Sequence, residues 1–494
     1  MTVDIKQKLL LAIAAIVAFG GALGGAFVFD DFALLNDPVI TSPSGWWESW
    51  RLLQTRPLSW VSFWLNYQTS GEHAFAWHAL NLLLHIAVVI VLFETLKELI
   101  PRRAAFIAAA IFAVHPMLTE AVAYIFARAI LIAALFCLLA IRFWTRRQYW
   151  LAVLWFFIAM LAKEECVALP IFLLLLDLSR RRKIPWAPLG AAFGIAMLLG
   201  LRVLYAASAV PGSNAGAQAG ITPAAYLSAE GTVILRYLRL VLIPTGFTID
   251  ADVPRWPLAW LGVAALLLIS AKYFKDLRPG FWLITAFVFL APSSSILPAA
   301  DLSADRRMYL PMIAVCAGLG LMLTKLHWKI NGGIVAGLAA ISFFYASLWR
   351  SPEDLWLEAI HEAPNKVRPR IQLARSIDPP RALQDLEEAE QIAPEDPTIY
   401  SEKGRVLLQL GRTSEALAAF GKALALDPND PKAMNNRGAA LLVLGQTAAA
   451  KTDFERALKK DPCLFDALIN LKHLNASPEI PSRCAFTPKQ KAQL

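Results

Sequence analysis

Over the first 350 residues, apolar positions fall in long runs broken by short polar stretches. The runs lie at about 9–29, 77–96, 104–115, 129–144, 149–162, 165–178, 186–206, 257–271, 281–297, 309–324 and 331–349. A helix crosses the hydrocarbon core with ~20 apolar residues, so the runs predict about eleven spans, several of them short. A further apolar helix near 226–243 carries Arg236 and Arg239 and ends at Pro244. An arginine at the centre of a span costs ~2.5–3.5 kcal/mol, so this helix is expected at the interface on the outer side. The run 9–29 has the shape of a signal peptide, but it is long enough to span and no A-x-A site follows it. It is read as an uncleaved first span.

From about Ser351 the pattern changes to amphipathic helices with a 34-residue period. The unit 397–430 has Tyr400, Gly404, Leu407, Ala416, Phe420, Ala423 and Pro428. The unit 431–464 has Met434, Gly438, Leu441, Ala450, Phe454, Ala457 and Pro462 at the same offsets. This is the signature of a tetratricopeptide (TPR) array. Small residues let two antiparallel helices approach, large apolar residues fill the space between repeats, and proline stops the second helix. A shorter unit spans 367–396, and 465–475 reads as a final covering helix. The fold class is therefore all-α: a polytopic transmembrane domain over 1–350, a TPR α-solenoid over 351–475, and a Pro-, Ser- and Lys-rich tail over 476–494 expected to be poorly ordered. A TPR array offers a concave surface to a protein or peptide partner and carries no chemistry by itself.

Charged residues make up 17% of the chain and the formal charge is +9. The basic residues cluster between apolar runs, which removes nucleic acid as a partner. Lys6 and Lys8, then Lys97, Arg102 and Arg103, then Arg146 and Arg147, then Arg180 to Lys183, then Lys272, Lys275 and Arg278, then Lys325 and Lys329 occupy every second loop. The positive-inside rule makes these cytoplasmic. The N-terminus is then cytoplasmic, and the loops holding Asp30, residues 210–257 and Asp305 are extracytoplasmic. With eleven spans the TPR domain is outside too, in the periplasm or exterior, or in an ER lumen. Cys137, Cys166 and Cys316 lie in apolar runs and are read as small buried hydrophobes. Cys463 and Cys484 are either a disulfide pinning the tail or two free thiols.

Asp30 and Asp31 follow the first span directly. Such a pair can be a polar stop to the helix. One carboxylate can also take a proton from an attacking hydroxyl or amide, and two can hold a hard divalent cation, Mg or Mn, against a phosphate. The next segment has Trp46, Trp47 and Trp50, then RPLSWVSFWLNY over 56–67. It reads as an interfacial helix, compatible with a lid over a lipid-linked substrate that brings Arg56 near a phosphate. His78 and His85 share a helical face with Asn81 between them. They have no third ligand, so buried hydrogen-bonded polars are the stronger reading. The stretch HPMLTEAVAYIFAR holds His115, Glu120 and Arg128, LAKEE holds Lys163 and Glu164, and Arg306 and Arg307 precede MYLP. Singly these are loop charges. Together they could build a pocket, because Arg and Lys suit a phosphate leaving group.

These segments, in this order, resemble the TPR-containing transmembrane O-mannosyltransferases and their bacterial relatives, members of the GT-C class. The matching stretches are FDD at 29–31, 56–67, WHALNLLLH at 77–85, 115–128, 161–165 and DRRMYLP at 305–311. The resemblance implies a polyprenyl-phosphate-linked sugar donor, mannose or another hexose, and a protein or glycan acceptor on the extracytoplasmic side. It implies Asp30 or Asp31 as catalytic base. Arg306, Lys163, Arg128 and Arg56 are the candidates for the donor phosphate, with Glu120, His115, Glu164 and His78 as supporting polar groups. One departure stands out: where the family has an acid two positions after the arginine matching Arg128, this chain has Ile130. Two other readings compete. A lipid-diphosphate glycan ligase or polymerase would bring a long functional outer loop, whereas 211–220 reads PGSNAGAQAG. A non-catalytic TPR scaffold would need only one or two spans.

Overall fold

The computed structural model describes residues 3–51, 54–209, 221–294, 298–299 and 301–494. The PGSNAGAQAG stretch and the end of the run 281–297 lie outside them. The chain divides into two compact units, Met1–Leu34 with Pro43–Ser351, and Leu35–Ser42 with Pro352–Leu494.

The first unit is a helical bundle of an integral membrane protein. Six stretches are long and apolar enough to cross a bilayer: Val3–Gly24, Ala74–Leu96, Ile125–Thr145, Trp186–Ser208, Asp305–Leu323 and Trp328–Leu348. A seventh is the pair Arg102–Val114 and Pro116–Ala123, bent by 55°. Proline at 116 cannot continue the helix. His115 covers the break, its Nδ1 accepting from the Met117 N–H at 3.1 Å and its Nε2 lying 3.2 Å from the Val241 carbonyl. The remaining apolar runs give shorter helices, including Tyr149–Ala162, Ala259–Lys272 and Pro279–Leu290. Fourteen residues reach only ~21 Å against a ~30 Å core, so the eleven apolar runs are not eleven full-length crossings. The helix Pro223–Leu242 is not among the long spans. Its Arg236 is bonded to Asp305 at 2.6 Å, and its Tyr237 hydroxyl donates to the Ala304 carbonyl at 2.9 Å.

Charge sorts to the helix ends. Asp4, Glu94 and Glu98 meet Lys8, Lys97, Arg102, Arg142 and Arg146. This network ties together four helix ends that the sequence puts on one side of the membrane. The first span packs along Trp328–Leu348, Ala74–Leu96 and Arg102–Val114. Cys137, Cys166 and Cys316 are buried.

The second unit stacks antiparallel helix pairs, Pro397–Gln409 with Thr413–Leu426 and Pro431–Val443 with Thr447–Lys460, and Phe465–His473 follows. Gly404 and Gly438 sit where a Cβ would stand 2.6 Å from the rings of Phe420 and Phe454, so the close approach expected from the repeat is realised. The tail differs from expectation. Cys463 and Cys484 are disulfide-bonded, Phe486 is buried with its ring 5.9 Å from that of Phe465, and Thr487 and Gln490 form a capping box on a short helix. Local composition suggested disorder, but a covalent link 21 residues back and one buried aromatic supply the missing contacts. By loop-closure entropy the disulfide contributes ~3 kcal/mol. The Cys484→Ser variant is expected to unfold at a lower temperature and to be clipped after residue 475 by proteases that spare the oxidised protein. Equal protease resistance of the two would refute this.

Candidate active site

The chain leaves the first span through glycines and an irregular stretch over 25–28, then turns at Phe29, whose φ is +49°, into Asp30. Gly25 passes so close to His78 that a Cβ there would lie 2.6 Å from Nε2. The Ala26 N–H donates to the Trp349 carbonyl at 3.1 Å. This stretch delivers two aspartates into different surroundings. Asp31 is fully buried and accepts the N–H groups of Val28 at 3.1 Å and Phe126 at 2.9 Å. Asp30 is half-buried. It receives the Tyr124 hydroxyl on Oδ2 at 2.9 Å, and its own N–H donates back to the Tyr124 oxygen at 3.2 Å. Asp31 is therefore a fastener between two backbone segments, and Asp30 is the more exposed of the two carboxylates. No third His, Cys, Asp or Glu completes a metal-type cluster with them among the described residues.

Burial pushes the Asp31 carboxyl up to about 8, outweighing its two backbone hydrogen bonds. The folded protein thus holds a proton that the unfolded chain releases near pH 4. Stability is expected to fall as pH rises from about 4 to about 8, by up to ~1.4 kcal/mol per unit. Thermal unfolding in detergent should show this slope in the wild type and a flatter one in Asp31→Asn. Parallel slopes would contradict it.

Next to the aspartates lies a cavity of about 490 Å³ whose lining includes Arg56, Lys163, Arg306 and Arg307 with Glu164 and Glu165. Phe126, whose N–H holds Asp31, is also in the wall. The Arg306 guanidinium lies 5.9 Å from the centroid of the Tyr124 ring, so Asp30, Tyr124 and Arg306 form a chain from the carboxylate to the cavity. Arg306 is gripped by Glu120, which also accepts its backbone N–H at 2.8 Å, and by Asp301 at 3.1 Å. Arg56 makes a two-pronged pair with Glu164. Burial works to raise the Glu164 carboxyl, but Arg56 holds it down at about 2. Arg56 adopts φ +61°, a left-handed backbone that costs a non-glycine residue ~1 kcal/mol or more and tends to mark functional sites. Lys163 pairs with Glu165 at 3.0 Å. Arg307 is the exception: it donates to the Tyr226 hydroxyl at 3.1 Å and to the carbonyls of Leu302 at 3.1 Å and Asp301 at 2.6 Å. Its bonded partners are neutral oxygens, with the Glu230 carboxylate nearby.

Of the sequence candidates, Arg56, Lys163, Glu164 and Arg306 meet at this cavity, and Glu120 backs Arg306. Arg128 does not line it. Fully buried, it donates to Asn81 at 2.8 Å, Asn66 at 2.8 Å, the Trp77 carbonyl at 3.2 Å and the Ser62 carbonyl at 3.3 Å. It also lies over the rings of Phe63 and Trp77. Four of its five N–H donors are taken up by the scaffold, away from the cavity at which a phosphate was expected. His115 caps the helix break, and His78 packs under Gly25. Ile130 is fully buried in an apolar setting. Sequence reasoning passed over Tyr124 and Glu165, both inside quoted motifs, and named Arg307 beside Arg306 without giving it a role of its own; the two share one 3-10 turn.

Residues 57–203 match the family described as dolichyl-phosphate-mannose-protein mannosyltransferase, and residues 404–445 match the TPR repeat. Protein O-mannosyl-transferase TMTC1 of Mus musculus is 39% identical over 148 residues, which is 26% of this chain and 16% of that protein. Protein O-mannosyl-transferase F38B6.6 of Caenorhabditis elegans is 24% identical over 419 residues, 75% of this chain and 60% of that one. The chain is similar to the TPR-containing transmembrane O-mannosyltransferases. It spans less than two thirds of the length of either of these relatives. Among solved structures, ArnT from Cupriavidus metallidurans bound to undecaprenyl phosphate aligns over 86% of this chain and 80% of its own, with 15% identity and a TM-score of 0.43. The mannosyltransferase match takes in Tyr124, Arg128, Lys163 and Glu164, while Asp30, Asp31 and Arg306 lie outside it.

Proposed function

We propose that this protein is a membrane glycosyltransferase that moves a hexose, mannose first among the candidates, from a polyprenyl-phosphate donor to a hydroxyl of a protein or glycan. The observation that carries the reading is the Asp30 carboxylate, held by the Tyr124 hydroxyl, whose ring lies against Arg306 in the wall of a cavity rich in arginine and lysine. Asp30 takes the acceptor proton as the acceptor oxygen bonds to the sugar C1. The bond from C1 to the phosphate oxygen breaks on the opposite face, and the polyprenyl phosphate leaves with the negative charge. Arg307, whose bonded partners are neutral, and Arg306 and Lys163 stabilise that charge as it develops. The active face is extracytoplasmic. The disulfide between Cys463 and Cys484 supports an oxidising compartment for the repeat unit, and the basic loops support a cytoplasmic location for the opposite helix ends. The TPR groove then presents a protein partner.

Purified protein in liposomes, given radiolabelled polyprenyl-phosphate mannose and an unfractionated pool of secreted acceptor proteins, should label protein. Polyprenyl-phosphate glucose serves as the second arm, because Ile130 departs from the mannosyltransferase pattern. Absence of transfer from both donors, with folded protein and neither lipid bound, would remove the proposal.

A further inference from the structure

A second concavity, of about 620 Å³, lies among the helices Pro223–Leu242, Ala259–Lys272, Pro279–Leu290 and Tyr309–Leu323. It shares no lining residue with the charged cavity. Its walls are almost wholly apolar, with Leu266, Ile269, Leu319 and Met322 along them. One end is the turn between two helices, marked by Ser270, Tyr273, Pro279 and Gly280. Gly280 brings the helices together there, since a Cβ would meet the Ser270 carbonyl at 2.1 Å.

That turn carries Lys272, Lys275 and Arg278, all exposed. None of their side chains has an ion-pair partner among the described residues, and Asp276 is the one carboxylate among them in sequence. The Ser179 hydroxyl donates to the Phe274 carbonyl at 2.9 Å and accepts the Leu277 N–H at 3.2 Å. This fastens the turn to a second basic stretch, where Arg181 and Lys183 are also exposed. An apolar trough that opens onto unpaired cations is complementary to a hydrocarbon chain ending in an anion.

We propose that this groove binds an anionic phospholipid, with an acyl chain along Leu266, Ile269, Leu319 and Met322 and the phosphate at Lys272, Lys275 and Arg278. The assignment is independent of the reading of the charged cavity. Three basic residues at the headgroup favour phosphatidylglycerol over phosphatidylcholine of the same chains by at least ~tenfold. Arg239, exposed on the facing helix and lining the same groove, is a single cation and a secondary contact.

Native mass spectrometry of the full-length protein with equimolar dioleoyl-phosphatidylglycerol and dioleoyl-phosphatidylcholine tests this without any variant. The expected result is roughly tenfold preferential retention of phosphatidylglycerol, with glycerol phosphate failing to compete because it has no chain. The combined Lys272→Gln, Lys275→Gln and Arg278→Gln variant should reduce the preference to within about twofold. Gly318→Leu, which projects into the groove, should weaken retention of both lipids. Equal retention by the wild type would overturn the proposal. So would an unchanged preference in the triple variant, its loss in Arg239→Gln alone, or mole-for-mole displacement of phosphatidylglycerol by undecaprenyl phosphate.

Discussion

Asp30→Asn is expected to lower the rate of sugar transfer by ~10²–10⁴-fold, the range a positioned general base contributes, while the protein stays folded and keeps its donor lipid. Asparagine fills the same space and still accepts the Tyr124 hydroxyl that reaches Asp30 at 2.9 Å, but it cannot take a proton. Tyr124→Phe should cost less, about tenfold, because the carboxylate remains and only its positioning loosens. The measurement is single-turnover transfer from a pre-loaded polyprenyl-phosphate sugar, which separates chemistry from donor binding. A wild-type rate in Asp30→Asn would transfer the base role elsewhere. Asp31→Asn would then be the next variant to examine, although both of Asp31's oxygens already hold backbone N–H groups.

Arg128→Ala should have the largest effect on stability, ~3–5 kcal/mol. The side chain is fully buried and its removal strands the amide oxygens of Asn81 and Asn66 with two backbone carbonyls. Each unpaired buried acceptor costs ~1–3 kcal/mol, and a cavity between Phe63 and Trp77 adds to that. Arg128→Lys should recover only part, because an ammonium cannot fork to the same set of acceptors. Thermal unfolding in detergent reads the loss. Arg307→Gln provides the contrast: it lines the cavity, so it should weaken donor binding, and because glutamine can still donate to part of the set formed by Tyr226, Leu302 and Asp301 it should lower the unfolding temperature less than Arg128→Ala. If Arg128→Ala unfolded like the wild type yet lost its donor lipid, the sequence-based assignment of Arg128 to the phosphate would be restored.

What the sequence made legible follows from what is periodic or consecutive. The TPR pairs could be read because Gly404 and Gly438, and Phe420 and Phe454, repeat 34 positions apart. The aspartates could be found because they stand side by side at the end of an apolar run. The unread part is long-range. Whether Arg128 meets a ligand or Asn66 and Asn81 depends on which helices become neighbours, and Tyr124 gains a role only when Asp30, 94 residues away, folds against it. The lengths of the spans were less legible for a related reason. Hydropathy registers apolar runs, but a break such as His115–Pro116 turns one crossing into a bent pair, and short helices such as Tyr149–Ala162 need neighbours to shield their ends.

The carboxylates beside Arg56, Lys163 and Arg306 have one more consequence. A pocket that already answers most of its own positive charge is a poor sink for stray sulfate or free phosphate, because such an ion must first dislodge an internal counter-ion and has no tail to anchor it. Selectivity against the small anions of the surrounding fluid thus follows from the pocket's own carboxylates.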